Sequence, residues 1–443
     1  MAKPKVIIVG AGFGGLNAAK GLRKAPIDLL VLDKTNHHLF QPLLYQVATA
    51  ALSPANISSP IREILRNQKN TTVLMSAIEK VLPHEKLIVS ANDEKFPYDV
   101  LVLATGSRHS YFGHPEWEKY APGLKTIPDA IKIRERILLS FELAERASDP
   151  SVAEKYLRFI IVGGGPTGVE LAGSVAEIAH KTLFNNFRRI IPSQAKIFLI
   201  EGESEILKAF PLKLRKKAHA MLAKMGVRII TSTHVTKVVE NGIYIGDDFM
   251  ESFNIIWAAG NNAPSLLRTL NAPLDRMGRV IVEKDLSLPG HPEIFVIGDS
   301  AQVKDEKGEP LPGIAPVALQ QGQYVANIIR KKIPKENRKP FKYFDKGTMA
   351  TIGKSKAIVA LWKAQFAGLF AWLLWCFIHI LYLISFKNRI LVAAQWLFSF
   401  LTGGRQVRLI QKPIYDEHDA IFQSRRKMKQ LQKKYFSDKD FFK

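Results

Sequence analysis

Val6-Ile7-Ile8-Val9-Gly10-Ala11-Gly12-Phe13-Gly14-Gly15 stands near the start of this sequence, and Phe159-Ile160-Ile161-Val162-Gly163-Gly164-Gly165-Pro166-Thr167-Gly168 repeats its pattern further on. Each stretch reads as a buried strand, a tight glycine turn and the start of a helix. In that setting the first glycine (Gly10, Gly163) permits the turn. The second (Gly12, Gly165) lets the backbone approach a pyrophosphate, and the third (Gly15, Gly168) lets helix pack on strand. The helix N-terminus then faces the phosphate charge. Gly14, inside the first turn, joins these as a candidate cofactor-binding residue. A lone motif of this kind is weak, because glycine-rich turns are common. Two of them, each after an apolar run, imply two dinucleotides held by one chain, and the simplest use is to pass electrons between them.

An acidic residue supports each motif. Asp33 ends Leu29-Leu30-Val31-Leu32, 21 residues after Gly12, near the spacing expected for a ribose-binding carboxylate. Glu201 ends Ile197-Phe198-Leu199-Ile200, but 36 residues after Gly165, which predicts an insertion around residues 182–193. A strand–Ala-x-Gly element also repeats. It appears as Val100-Leu101-Val102-Leu103-Ala104-Thr105-Gly106 and as Ile255-Ile256-Trp257-Ala258-Ala259-Gly260. Ala104, Thr105, Gly106, Ala259 and Gly260 thereby become candidates as well. A third strand, Ile294-Phe295-Val296-Ile297, ends in Gly298-Asp299, and its place suggests that the chain returns to complete the first unit. The pattern predicts an α/β protein with two Rossmann-like dinucleotide-binding domains. The first is expected at residues 1–140 and 276–340, the second at 141–275. The polar, proline-punctuated stretch Lys331-Lys332-Ile333-Pro334-Lys335-Glu336-Asn337-Arg338-Lys339-Pro340 predicts the boundary to a third region, 341–443.

Charge and hydropathy give that third region its character. The 443 residues carry a net charge of +23, and residues 331–443 hold 23 Lys/Arg against 7 Asp/Glu. A basic segment can serve nucleic acid or an anionic membrane surface. Here it flanks two apolar runs, residues 366–386 with no charged side chain and residues 390–402, which favours the membrane; no nucleic-acid-binding motif accompanies it. The first run is long enough to span a bilayer. Spanning, however, would put a tail with 13 Lys/Arg on the far side, against the positive-inside tendency. The expectation is therefore a helical membrane-docking segment lying in the interface. Trp362, Trp372, Trp375 and Trp396 would sit at headgroup level, with basic residues facing anionic lipid. The first strand follows Met1 almost at once, so no secretory or transit peptide is expected, and the catalytic body is expected on the cytoplasmic face.

Cys376 is the single cysteine, which excludes an internal disulfide and a Cys-pair redox relay. His37 and His38 lack companions at ligand spacing, so a structural or substrate-edge role is expected rather than a metal. His379, inside an apolar run, reads as a packing or interfacial residue.

The paired motifs, the Ala-Thr-Gly turn and Gly298-Asp299 resemble the two-dinucleotide-binding flavoproteins that include glutathione reductase. More narrowly the chain resembles the type II NADH:quinone oxidoreductases, single-subunit respiratory NADH dehydrogenases that pump no protons. Carrying that narrower likeness are His38-Leu39-Phe40-Gln41-Pro42-Leu43-Leu44-Tyr45-Gln46-Val47-Ala48-Thr49, the run from Gly163 to Ala172, Ala318-Leu319-Gln320-Gln321-Gly322, and Lys346-Gly347-Thr348-Met349-Ala350-Thr351-Ile352-Gly353. The resemblance spans nearly the whole chain. It implies FAD in the first domain, on Gly10, Gly12, Gly15, Asp33 and Asp299, and NADH in the second, on Gly163, Gly165, Gly168 and Glu201. It also implies a membrane quinone as acceptor and monotopic docking, commonly as a homodimer. Glu170 would manage protons for the quinone, although a first-turn glutamate also simply favours a helix dipole. Gln320 and Gln321 would donate to a quinone carbonyl, with Lys346 a weaker candidate. One departure stands out: Ala315-Pro316 occupies the place where many members have Ala-Gln, so one quinone-side glutamine is missing. Four other readings compete. A sulfide:quinone oxidoreductase or a disulfide reductase needs cysteines that the body lacks. A ferredoxin reductase, serving a soluble partner, would not require the hydrophobic C-terminus. A flavin-bound membrane adaptor that senses NADH would be reduced but not reoxidised by quinone.

Overall fold

The computed structural model describes residues 3–405 and 407–410; the basic tail beyond them lies outside the described residues. The first glycine motif follows Lys5–Val9, the middle strand of a six-stranded sheet. Its order is Ser287–Leu288, His291–Val296, Val100–Leu103, Lys5–Val9, Asp28–Asp33, Thr71–Met75. All neighbours are parallel except the short edge strand Ser287–Leu288. The strand that ends in Gly298-Asp299 thus joins the first sheet although it follows the second in sequence. That second sheet is fully parallel and runs Val227–Ile230, Lys196–Ile200, Arg158–Val162, Asn254–Trp257. The strands are nearly continuous apolar runs because helices cover both faces of a parallel sheet. Each sheet is accompanied by a three-stranded antiparallel meander, Ile78–Leu82 with Leu87–Ser90 and Lys95–Pro97 in one case, Lys237–Val239 with Gly242–Ile245 and Asp248–Glu251 in the other. The same architecture is therefore built twice.

Two contacts bring the carboxyl edges of the sheets together. Arg108–His109 pairs antiparallel with Asn261–Asn262, and Gly123 bridges to Trp257. The segment 331–340 is well tied to the first sheet. Lys335 Nζ and Arg338 Nη1 both reach the buried Asp285 carboxylate, at 2.7 and 3.1 Å.

The C-terminal region is a three-stranded antiparallel sheet, Thr348–Gly353, Lys356–Leu361 and Ala364–Gly368, followed by the helices Leu369–Tyr382 and Phe386–Thr402. The apolar run 366–386 is thus cut at both ends. Its first residues finish a strand, Gly368 turns the chain at φ +101°, and 14 residues of helix remain. At 1.5 Å per residue that is about 21 Å, short of a hydrocarbon core of about 30 Å. Among the described residues no helix is long and apolar enough to cross a membrane. The helix is two-faced in practice: Ala371, Trp375 and Cys376 pack inward, whereas Phe370, Leu373, Phe377 and Leu381 recur on one exposed face. The expectation for the tryptophans needs correction. Trp375 is 1% exposed and belongs to the core, and Trp372 and Trp396 pack against it; of the four, Trp362 is mostly exposed, at 76%, with its Nε1 donating to the Asp345 carbonyl at 3.1 Å. The other three tryptophans fill the seam between the helices and the body.

Candidate functional site

The two glycine turns are built alike. Gly10 (φ +96°) and Gly163 (φ +110°) adopt the left-handed region, and a Cβ on either would strike the backbone of Ala104 or Ala258. At Gly15 and Gly168 a Cβ would lie 1.8 Å from the carbonyl oxygen of Gly10 and Gly163 respectively. The chain requires glycine at those four positions, whatever the turns bind. At Gly12 and Gly165 it does not: each has an ordinary φ (−68° and −71°), and a Cβ there would meet no protein atom within 4 Å. A glycine that neither backbone nor packing requires, at a helix N-terminus, marks room kept for a ligand. Gly14 instead packs against Ile297 and Ala318.

The two carboxylates close these turns in the same way. Asp33 accepts the Ala11 N–H at 2.7 Å and those of Thr35 N and Oγ1 at 2.7 and 2.8 Å. Glu201 accepts the Gly164 N–H at 2.5 Å and that of Glu203 at 2.9 Å. Strand register puts Glu201 there whatever the sequence spacing, since Val162 pairs with Ile200. The extra residues form a turn at Ile178–Thr182 and the loop that leads to Pro192–Gln194. His38 is buried against the first turn. Its Nδ1 bonds the Ala11 carbonyl at 2.9 Å, and its Nε2 has no protein partner. Burial lowers its pKa, so the ring is neutral. Open space at Gly12, a half-exposed Asp33 and an orphaned imidazole nitrogen together fit an adenine dinucleotide in the first site; Gly165 and Glu201 fit a second.

At the carboxyl edge of the first sheet, Ser107 Oγ donates to Asp299 Oδ2 at 2.7 Å, and Lys125 Nζ reaches Ser107 Oγ at 3.1 Å. Thr105 Oγ1 and Ser300 Oγ share a hydrogen bond of 2.9 Å beneath them. Gly106 and Gly260 end the repeated strands in the left-handed region, at φ +69° and +68°. Gln321 is buried, and its Oε1 accepts the Gly298 N–H at 2.6 Å. It therefore supports the Gly298-Asp299 turn. Gln320 closes on the backbone of Phe344 in both directions, each at 2.9 Å, and Lys346 Nζ lies 3.2 Å from the Tyr382 hydroxyl. Each of the three candidates thus has a protein partner. Pro316 fills a first-turn position of the helix Ala315–Lys331, where its missing N–H costs nothing.

Glu170 sits on the helix Pro166–Glu177, just inside the second glycine turn. Three residues on, a Cβ at Gly173 would lie 1.8 Å from the Ile352 carbonyl oxygen, so the helix accepts the strand Thr348–Gly353 directly on its backbone. That close approach lets the Thr351 N–H donate to Glu170. Thr351 Oγ1 shares a 3.0 Å hydrogen bond with Tyr45, Gln46 Nε2 donates to the Tyr45 hydroxyl at 3.0 Å, and Trp396 Nε1 donates to Gln46 Oε1 at 2.7 Å. Surrounding protein strips water from the Glu170 carboxyl and pushes its pKa up to about 8. The same burial, with Glu170 adjacent, pushes Tyr45 upward. Beyond Tyr45 and Thr351 opens a cavity of about 90 Å³, lined by Trp372, Trp375, Cys376, Trp396 and Phe400 among others. His379 stacks on Trp375 at 4.0 Å and bonds its carbonyl through Nδ1; burial lowers its pKa to about 4, so it is uncharged. Among the described residues no His, Cys, Asp and Glu group could hold a metal ion.

Two residues that no sequence pattern marks hold this corner. Lys354 caps the helix Phe386–Thr402, its Nζ donating to the Ser399 and Phe400 carbonyls at 2.7 Å. Arg405 is buried and donates to Thr49 O at 2.5 Å, to Ser174 O at 3.3 Å and to Glu177 Oε2 at 2.9 Å. Removing one partner of a buried pair strands the other. Arg405→Met is therefore expected to cost about 3 kcal/mol of stability, read as a lower denaturant midpoint; an unchanged midpoint would show that the pair contributes little.

A family model for "Pyridine nucleotide-disulphide oxidoreductase" matches residues 4–322, and one for "NDH2 C-terminal domain" matches residues 346–406. The chain is 43% identical over 416 residues to the type II NADH:quinone oxidoreductase Ndh of Mycobacterium tuberculosis, covering 90% of this chain and 89% of that protein. It is 41% identical over 429 residues to NdhA of the same organism, covering 93% and 90%. A solved structure of NDH2 from Plasmodium falciparum in complex with NADH superposes with a TM-score of 0.83 at 22% identity, covering 91% of this chain and 99% of that one.

Proposed function

Since the chain belongs to the type II NADH:quinone oxidoreductases, we propose how its residues divide the work of taking electrons from NADH to a quinone through FAD without pumping protons. The first domain, residues 1–140 and 276–340, holds FAD on Gly10, Gly12, Gly15, Asp33 and Asp299, with Ala104, Thr105 and Gly106 along its approach. The second, residues 141–275, holds NADH on Gly163, Gly165, Gly168, Glu201, Ala259 and Gly260. When bound, the flavin supplies the two-electron carrier between the substrates. The chain orients both dinucleotides at the joined carboxyl edges of its sheets.

One observation carries the division: Glu170, held protonated up to about pH 8, stands beside Tyr45 and Thr351, between the nucleotide turn and the aromatic cavity. A quinone taking up two electrons also takes up two protons, and a carboxyl that keeps its proton at neutral pH can give one. The cavity wall of Trp372, Trp375 and Trp396 offers an apolar approach to that point. Gln321 acts one step back, by holding the turn that bears Asp299. Residues 341–443 seat the enzyme on an anionic lipid surface. The exposed faces that carry Phe370, Leu373, Phe377 and Leu381, and Phe386, Ile390, Leu397 and Leu401, lie in the interface or meet a second copy of the chain. The seat is monotopic, with the nucleotide sites on the cytoplasmic side.

The test is an anaerobic titration of the purified protein. NADH is expected to bleach the oxidised flavin band and a short-chain quinone to restore it. Bleaching without recovery would remove quinone as the acceptor. Glu201 further predicts coenzyme preference, since its carboxylate, beside Glu203, repels a 2′-phosphate. kcat/KM is expected to favour NADH over NADPH by roughly 100-fold, and Glu201→Gln to narrow that gap by about tenfold, or about 1.4 kcal/mol. Equal efficiency with both coenzymes in the unaltered enzyme would sink this role for Glu201.

A further inference from the structure

Lys125 is marked by no sequence pattern, yet it lies where the two nucleotide sites meet. It follows Gly123, which bridges to Trp257 at the end of the second sheet. Its side chain reaches back to Ser107 at the edge of the first, with Nζ 3.1 Å from Ser107 Oγ. Ser107 in turn donates to Asp299 at 2.7 Å. Ammonium, hydroxyl and carboxylate form one chain across the floor of the cleft.

The fold does not use the ammonium to start the helix Ile127–Arg146. Asp129 does that, accepting the backbone N–H of Lys125 at 3.1 Å and of Thr126 at 2.8 Å. With Asp129 committed to those amides and to His109, whose Nε2 is 3.8 Å away, the carboxylate that faces the Lys125 ammonium is Asp299. Burial lowers the pKa of Lys125, and the Asp299 carboxylate works the other way. A half-buried lysine that is not needed for the cap is costly to keep without some use of its charge.

We propose that Lys125 is a positioning residue for electron transfer, its ammonium offsetting Asp299 so that the flavin is more easily reduced by NADH. The inference rests on the assignment of FAD to the first site. The charge balance gives the reason. The C–H bond of the reduced nicotinamide breaks, its electron pair leaves with the hydrogen as hydride, and NAD⁺ remains; the flavin gains two electrons and one proton, hence one negative charge. A fixed cation nearby favours that state, whereas an unbalanced Asp299 carboxylate opposes it.

The experiment is a redox titration of the flavin in the holoenzyme against a dye of known potential, for the unaltered enzyme, Lys125→Met and Lys125→Arg. Lys125→Met is expected to lower the equilibrium constant for flavin reduction by NADH about tenfold, which is about 30 mV for a two-electron couple. Lys125→Arg should stay within about threefold. In stopped flow the NADH half-reaction should slow in Lys125→Met, while quinone reoxidation of the pre-reduced enzyme should not, a split that loose packing would not produce. An unchanged constant in Lys125→Met at full flavin content, or an equal fall in Lys125→Arg, would overturn the proposal. Should Lys125→Met lose flavin, Lys125→Gln keeps a donor to Ser107 without the charge and reads the same effect. Failure of the flavin assignment would show separately, as unaltered protein without flavin to titrate.

Discussion

Glu170→Gln is expected to lower NADH:quinone turnover roughly 10²–10³-fold, the range for loss of a positioned acid, while reduction of the flavin by NADH stays near its unaltered rate. Glutamine matches the carboxyl in size and can still accept the Thr351 N–H, so the change removes the proton and little else. The pH dependence has a definite sign. Burial penalises the carboxylate form, so the pKa rises to about 8; the group is the needed acid below that value and loses its proton above it. Quinone turnover in the unaltered enzyme should therefore fall above about pH 8, and that limb should vanish in the variant. By linkage, the folded state binds this proton more tightly than the unfolded chain does. Stability is then lost as pH rises from the ordinary carboxyl range towards 8, and the variant should lack that slope. Unimpaired quinone turnover in Glu170→Gln would end the assignment.

Gly165→Val is expected to raise the KM for NADH roughly 100-fold, equivalent to about 2.7 kcal/mol, with FAD still bound and the fold intact. Gly12→Val is expected to yield folded protein without FAD. Both follow from the same geometry. A Cβ at either position meets no protein atom within 4 Å and the backbone is ordinary there, so valine disturbs the ligand space before it disturbs the chain. Gly15→Val and Gly168→Val supply the contrast. There a Cβ would lie 1.8 Å from a carbonyl oxygen, and overpacking of that kind is a folding defect. Flavin content, thermal melting and NADH kinetics on the four variants separate the two roles. Loss of folding in Gly12→Val or Gly165→Val would show that those glycines, too, serve the chain.

Legibility in the sequence varied with how local the cause was. The glycine turns could be read directly, because a tight turn and a close backbone approach depend on residues within one motif. Glu201 was harder, since an insertion hid its spacing; strand register, set by Val162 beside Ile200, brings it to the turn regardless of loop length. Gln320 and Gln321 are legible in sequence only as possible amide donors; the hydrogen bonds of Gln320 to the Phe344 backbone and of Gln321 Oε1 with the Gly298 N–H are set by the fold. Lys125, Lys354 and Arg405 gave no signal, because an isolated cation in sequence says nothing of what lies across a cleft or under a helix end.

Amino-acid order alone therefore settled the twice-built α/β plan, the two dinucleotide turns and the want of a cysteine pair, all matters of short-range stereochemistry and composition. Tertiary structure alone decided the rest. The longest apolar run ends as strand, turn and a 14-residue helix, because Ala364–Gly368 pairs with Lys356–Leu361. Trp375 became core because the helix it rides packs on that sheet. Glu170 became an acid near neutral pH because Gly173 lets a strand from about 180 residues away lie on its helix and exclude water; desolvation belongs to the packed molecule and to no single stretch of its sequence.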